Sequence, residues 1–140
     1  IHASRDFPGF DVLMYHGHGY HFYVDASEQL RKSEAIKNPR YIMKFLLQKR
    51  HLAPSHTSTI YLPNEKVDPL AIEKIPDIFV SGHLHKCDIG SYNNVVTINS
   101  SCWQSVTDFE IKTGNFPDPC KVPLFNLKTR ECEVLSFNDE

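Results

Sequence analysis

The sequence predicts a mixed α/β domain, an α+β sandwich built around a layered sheet. Three observations carry that class. Two short runs dense in apolar and β-branched residues each end in a turn holding glycine and histidine, an amphipathic helix lies between them, and alternating segments near the C-terminus read as a hairpin. Taken in order, Phe10-Asp11-Val12-Leu13-Met14-Tyr15 is nearly all apolar, as a strand buried on both faces should be, and stops at His16-Gly17. A polar stretch follows, in which Ser27-Glu28-Gln29-Leu30-Arg31 fits a short helix. Asn38-Pro39 marks a helix start, with a capping side chain followed by a proline whose missing N–H costs nothing in the first turn. Behind it Ile42, Phe45 and Leu46 form one apolar stripe, and Pro54 is expected to close the helix. A second strand, Ile78-Phe79-Val80, runs into Gly82-His83-Leu84-His85, and Val95-Val96-Thr97-Ile98-Asn99 reads as a third. Leu124 to Leu127, the turn Lys128-Thr129-Arg130, and Val134 to Phe137 make the hairpin. Pro63 and Pro76 fall in connections, where proline belongs.

The bounds are those of an ordinary domain. At 140 residues the chain buries roughly two-thirds of its unfolded surface. Apolar residues at 41% and charged residues at 23% exclude a disordered or fibrous class. A net charge of -2 excludes non-specific nucleic-acid binding by the chain as a whole, so any such contact runs through a local patch or another subunit. Cys87, Cys102, Cys120 and Cys132 form no Cys-x-x-Cys pair, which argues against a zinc knuckle and for reduced thiols in a cytoplasmic setting. No apolar run approaches the roughly 18 residues of a membrane span, and no leader pattern is present. A strand-like start at Ile1, with no Met, suggests the C-terminal piece of something longer.

The chemistry gathers at the strand ends. His16 follows one buried strand and His83 and His85 follow another, so all three are expected at the C-terminal edge of one sheet, where open α/β sheets place their sites. Imidazole is the commonest protein metal ligand, and two histidines spaced i, i+2 on an irregular turn can aim at two different ions. Gly82 is expected where the backbone bends sharply. Spacing alone leaves ligand and structural roles open for all three histidines.

Gly82-His83-Leu84-His85 behind a hydrophobic strand, with Tyr15-His16-Gly17 ending an earlier one, resembles the last two metal motifs of the calcineurin-like phosphoesterases, binuclear-metal enzymes that hydrolyse phosphate esters. A closer resemblance is to the small subunit of archaeal family D DNA polymerases. It rests on "VLMYHG" (12 to 17), "RHLAP" (50 to 54), "PDIFVSGHLH" (76 to 85), "INSSCWQ" (98 to 104), "KVPLFNL" (121 to 127) and "EVLSF" (133 to 137), in that family's order and across nearly the whole chain. The resemblance implies that residues 1–140 are the C-terminal half of a four-layer phosphoesterase fold, in a subunit that carries a 3′-to-5′ proofreading exonuclease beside a large polymerising partner on DNA. It implies that His16 and His83 ligate one divalent ion and His85 the other. These ions act as Lewis acids on the scissile phosphate and activate water. Mixed nitrogen and oxygen coordination suits manganese better than magnesium.

The earlier motifs of that family are missing. Gly114-Asn115 is followed by Phe116 rather than His, no Asp stands two places before a His, and no Gly-Asp supplies a bridging carboxylate. No catalytic residue is therefore assigned. Two ions about 3.5 to 4 Å apart need an anion between them. The chain alone is expected to hold at most half a site, the rest coming from another chain or segment.

The remaining candidates divide between function and packing. His18 and His21 read as loop histidines near the site, with His18 also a candidate for a DNA phosphate. Lys37, Lys44 and Arg50, drawn from the basic run around the helix, are candidate phosphate contacts, although a solvated face is the default for such a run. His51 and His56 read as structural or solvent-facing, and His2 is too near the end to interpret. Trp103, the only tryptophan, is expected in the core or against a partner, with the core favoured. Phe116-Pro117-Asp118-Pro119 reads as a stiff loop. Two functions follow: a metal-dependent exonuclease subunit, or a non-catalytic scaffold, like the B subunits of eukaryotic replicative polymerases, that holds the large subunit.

Overall fold

The computed structural model describes residues 9–62, 64 and 66–137. Its centre is a four-stranded mixed sheet, ordered β1-β2-β4-β3, of β1 (Val12–Met14), β2 (Ile78–Ser81), β3 (Asp88–Tyr92) and β4 (Val95–Asn99). β1 runs parallel to β2 and β2 parallel to β4, while β3 returns antiparallel on β4. The helices are α1 (Tyr20–Ala26), α2 (Glu28–Lys32), α3 (Arg40–Lys49) and α4 (Asp108–Thr113), and β5 (Lys121–Phe125) pairs antiparallel with β6 (Cys132–Ser136). The mixed α/β class and the C-terminal hairpin agree with expectation. His2 and the strand-like start at Ile1 lie outside the described residues.

Side-chain alternation along β2 divides the molecule into layers. Phe79 enters the larger core, with Tyr20 and Tyr23 of α1 and Ile42, Met43, Leu46 and Leu47 of α3. Ile78 and Val80 face the other way, with Phe10, Ile98 and the hairpin residues Phe125 and Cys132. Helices thus cover one face and the hairpin the other. The Phe10 and Phe125 rings meet edge-on at 5.8 Å, which fastens the hairpin layer down.

Several local expectations need correction. β1 is not buried on both faces. Among the described residues it is an edge strand of three residues, with β2 as its sheet neighbour, and Met14 is 76% exposed. α3 starts at Asn38-Pro39 as expected, with Tyr41 N–H donating to the Asn38 carbonyl at 3.1 Å, but the Asn38 side chain does not cap it: the cap position is Pro39, and Asn38 Nδ2 donates back to the Glu34 carbonyl at 3.2 Å. It ends before Pro54, however, because Arg50 takes a left-handed conformation (φ 55°). α1 and α4 are additions, as is β3. The last carries Asp, Gly and Ser, and forms because tertiary pairing overrides poor strand propensity. Asn93 and Asn94, both at positive φ, make the tight β3–β4 turn. All four cysteines are unpaired, and among the described residues no helix is long and apolar enough to cross a membrane.

Candidate metal centre

His16 sits just past β1 and His83 just past β2, and the parallel pairing of those strands brings the two loops together across 67 positions of sequence. The His16 carbonyl is the fastening point, accepting from His83 N–H at 2.9 Å and from Ser81 Oγ at 3.1 Å. Tyr15 N–H extends the ladder to the Val80 carbonyl at 3.0 Å. Gly17 then turns the chain at φ +103°, a conformation that L side chains rarely adopt. A Cβ there would stand 2.8 Å from Ser81 Oγ and 3.0 Å from His83 Cβ. The glycine required by the loop approach is therefore Gly17. Gly82, expected to serve a sharp bend, has no positive φ and instead allows close packing, a Cβ there standing 3.2 Å from Ser100 Oγ.

His83 and His85 are sent to different partners. Leu84 between them is 1% exposed and anchors the turn in the core. His85 N–H closes the turn on the Gly82 carbonyl at 3.1 Å, and His85 itself is left-handed at φ 53°. Beyond it, Asn99 Nδ2 donates to the Lys86 carbonyl at 2.7 Å and pins the exit. The ring of His83 meets His16, Nδ1 to Nε2, at 3.0 Å. The ring of His85 meets Glu110, Nδ1 to Oε1, at 2.9 Å. All four residues line one cavity of about 750 Å³, with His21 and Gln104 also on its wall.

The electrostatics favour a neutral His83 ring. Burial, and then the neighbouring imidazoles of His16, His21 and His18, push the His83 pKa down to about 4. The rings of His18 and His21 stand 5.8 and 5.9 Å from that of His83. Both histidines therefore belong to the cluster; His18 is in the loop as expected, whereas His21 is not a loop residue but sits in the first turn of α1. A neutral imidazole is the form that donates a lone pair to a metal.

The fit to a metal is partial. Metal–imidazole bonds of about 2.1 Å put two ligand nitrogens on one ion about 3.0 to 3.4 Å apart; the His16–His83 nitrogens stand at that separation as a ring-to-ring hydrogen bond, whose shared proton an ion between them would displace. Among the described residues, no group of three His, Cys, Asp or Glu side chains is arranged to hold an ion. Gly114 and Asn115 also line the cavity.

Glu110 is the site residue that the sequence reading missed. Its Oε2 accepts from Thr107 N–H at 2.9 Å and from Thr107 Oγ1 at 3.0 Å, the reciprocal cap of α4. The Thr107 backbone donor, followed by the His85 hydrogen bond, holds its carboxyl below the usual carboxylate range. The Thr-Asp-Phe-Glu spacing of a capping box was the available signal.

The basic candidates are scattered. Lys37 pairs with Glu34 at 2.7 Å and lines a cavity of about 520 Å³ that shares Ile36, Gly114 and Asn115 with the histidine cavity. Lys44 lies over the Tyr92 ring at 5.5 Å. Arg50 is engaged elsewhere, its guanidinium donating to the carbonyls of Ile72, at 2.7 Å, and Glu73. His51 bridges Asp68 and Ala53 N–H, and His56 meets the Tyr61 hydroxyl. Trp103 is 69% exposed, tilted against Phe137 at 6.0 Å, which overturns its expected place in the core.

No family model matches the chain. It is 35% identical over 130 residues to the DNA polymerase II small subunit of Halobacterium salinarum, covering 93% of this chain and 25% of that protein. The chain is homologous to the C-terminal part of the archaeal DNA polymerase II small subunit. The same protein of Archaeoglobus fulgidus is 36% identical over 123 residues (88% of this chain, 24% of that protein), and that of Methanocaldococcus jannaschii 37% over 119 (85% and 19%). The chain thus spans about a fifth to a quarter of the length of these curated relatives, and the resemblance to archaeal polymerase small subunits is borne out.

Proposed function

We propose that the chain supplies half of a binuclear metal site in the proofreading, 3′-to-5′ exonuclease subunit of an archaeal replicative DNA polymerase, acting on DNA beside the large catalytic subunit. The observation that carries this is the 3.0 Å approach of His16 Nε2 to His83 Nδ1, two ring nitrogens at a separation compatible with binding one ion. His16 and His83 hold that ion and His85 holds the second, with manganese the best match to the donor set. Bound there, the ions would supply Lewis acidity toward a phosphodiester and activate water. The chain's own residues do the rest. The hydrogen-bonded turns at Gly17 and Gly82 fix the rings, and burial keeps His83 unprotonated. His18, whose ring stands 5.8 Å from that of His83, and Lys37, in the adjoining cavity, are the first candidates for DNA phosphate. Lys37 can exchange partners readily because an exposed ion pair contributes little. Lys44 and Arg50 are candidates for contacts further from the site.

The homology supports the setting in a polymerase small subunit, and the missing carboxylates support a complementing chain or segment that completes the coordination. The test is nucleotide release from a DNA 3′ end in the presence of manganese, with the remainder of the small subunit supplied. Activity is expected only when both parts are present, and is expected to vanish in His83→Ala and in His85→Ala. Binding of the large subunit without hydrolysis under any of these conditions would leave the scaffold reading in its place.

A further inference from the structure

α4 is built with its polarity reversed. Phe109 is 74% exposed and Ile111 58% exposed, while the Glu110 side chain is 8% exposed. An amphipathic helix buries the opposite set, and a buried carboxylate is stabilised only by strong hydrogen bonds. Glu110 has them on both oxygens. Oε2 serves the helix cap at Thr107, and Oε1 stands 2.9 Å from His85 Nδ1. A capping box needs the first of these contacts and has no use for the second. Because both oxygens are engaged within the chain, Glu110 is also poorly placed to be the bridging carboxylate that a pair of ions requires.

We propose that Glu110 is a positioning residue for His85: its Oε1 accepts the Nδ1–H, holds the neutral ring in that tautomer, and leaves the Nε2 lone pair as the ring's donor to a divalent ion. A carboxylate behind a histidine fixes tautomer and ring orientation and raises ligand basicity. Here the ring is set from two sides. The left-handed backbone at His85 and the Asp118 N–H bond to the His85 carbonyl at 2.8 Å fix its base, and α4 fixes its Nδ1 edge. The short helix thus functions as a rigid mount for one carboxylate oxygen. The inference rests on the reading of His85 as a ligand given above, and its test is independent of that reading.

The imidazole nitrogens of the ¹⁵N-labelled, metal-free chain are observed by NMR at a pH above the histidine range. His85 is expected as the Nδ1–H tautomer in the wild type and as an Nε2–H or mixed population in Glu110→Ala. Ile111→Ala, on the same helix, leaves it unchanged, and so does Thr107→Ala, which weakens the cap and retains the carboxylate. Three results overturn the proposal: an Nε2–H tautomer in the wild type, no change in Glu110→Ala, or a change in Thr107→Ala as large as in Glu110→Ala, which would mean that the carboxylate acts only through helix stability. If α4 melts in Glu110→Ala, the wild-type spectrum still decides. In the reconstituted small subunit, Glu110→Ala is further expected to weaken manganese binding by about 10- to 100-fold. Undiminished affinity there counts against the role, whereas absent nuclease activity with the expected tautomers counts only against the exonuclease.

Discussion

Replacing Gly17 with alanine tests whether the two histidine loops are held together as described. The perturbation has two components. At φ +103° any L residue is strained, by about 1–3 kcal/mol. The added methyl also meets Ser81 Oγ at 2.8 Å, His83 Cβ at 3.0 Å and Tyr20 Cε2 at 3.1 Å. The serine hydroxyl can rotate away. His83 Cβ is tied to a hydrogen-bonded turn and Tyr20 is fully buried, so overpacking adds about 1–3 kcal/mol. Together these predict a loss of about 2–6 kcal/mol, a large share of a typical domain's stability. Gly114→Ala is the control, because Gly114 is also at positive φ (+71°) but an added methyl there meets nothing within 4 Å, so backbone strain alone remains, about 1 kcal/mol. Urea unfolding of both variants, with unchanged m-values, measures the difference. Equal losses would show that the loops are not in contact at Gly17, and would remove the reason for placing His16 beside His83.

Three further outcomes follow from neighbouring groups. Leu84→Ala, at a 1% exposed position, is expected to cost about 2–5 kcal/mol in urea unfolding and to broaden the NMR signals of His83 and His85; a surface-like cost below 1 kcal/mol would mean that the turn is not anchored there. With its pKa lowered to about 4, His83 stays neutral in the folded chain between pH 6.5 and 4 while the unfolded chain takes up a proton, so stability is present above pH 6.5 and falls as the pH drops through that window. The slope should stay below ~1.4 kcal/mol per pH unit because the half-buried ring is partly screened, and it should flatten in His83→Phe; an unchanged slope in that variant would assign it to other groups. Arg50→Lys keeps the charge but loses the fork that reaches the Ile72 and Glu73 carbonyls, and should cost about 1–2 kcal/mol of stability. An unaltered unfolding midpoint would return Arg50 to the pool of DNA contacts.

What the sequence revealed depended on how local the determining physics was. The strand Val95–Asn99, the helix start at Asn38-Pro39 and the closing hairpin were legible because propensity, turn chemistry and alternation agree there. β3 was not, since Asp88, Gly90 and Ser91 are poor strand formers and pair only because Asn93-Asn94 folds them back on β4. β1 was over-read: its apolar run is genuine, but whether an edge strand is covered on both faces depends on what packs there, and no single-sequence pattern encodes that. At the site, His16, His83 and His85 were legible from their places at strand ends, and the parallel pairing of β1 with β2 brings them to one cavity. Glu110 was hidden. Its capping-box spacing was visible, but that its second oxygen reaches a histidine 25 positions away is a matter of tertiary placement. Trp103 was misplaced because a base rate for tryptophan burial says nothing about a residue beyond the end of β4.

Charge sets how far this chain can go by itself. The cavity presents imidazoles and a single carboxylate, Glu110, whose two oxygens are already engaged with Thr107 and His85, so its walls offer one negative charge and no carboxylate oxygen left over to bridge two cations. Two dications about 4 Å apart repel by ~17 kcal/mol even at an effective dielectric constant of 20. Nothing on these walls offsets a term of that size. A single ion between His16 and His83 faces no such penalty and needs only the two nitrogens already 3.0 Å apart, with water completing its shell. Titration of the isolated chain with manganese or zinc is therefore expected to show at most one weak equivalent, abolished in His16→Ala and in His83→Ala and unaffected by His85→Ala. Two equivalents bound by the chain alone would require an anionic ligand that the described residues do not provide, and would overturn the division of the site between two parts.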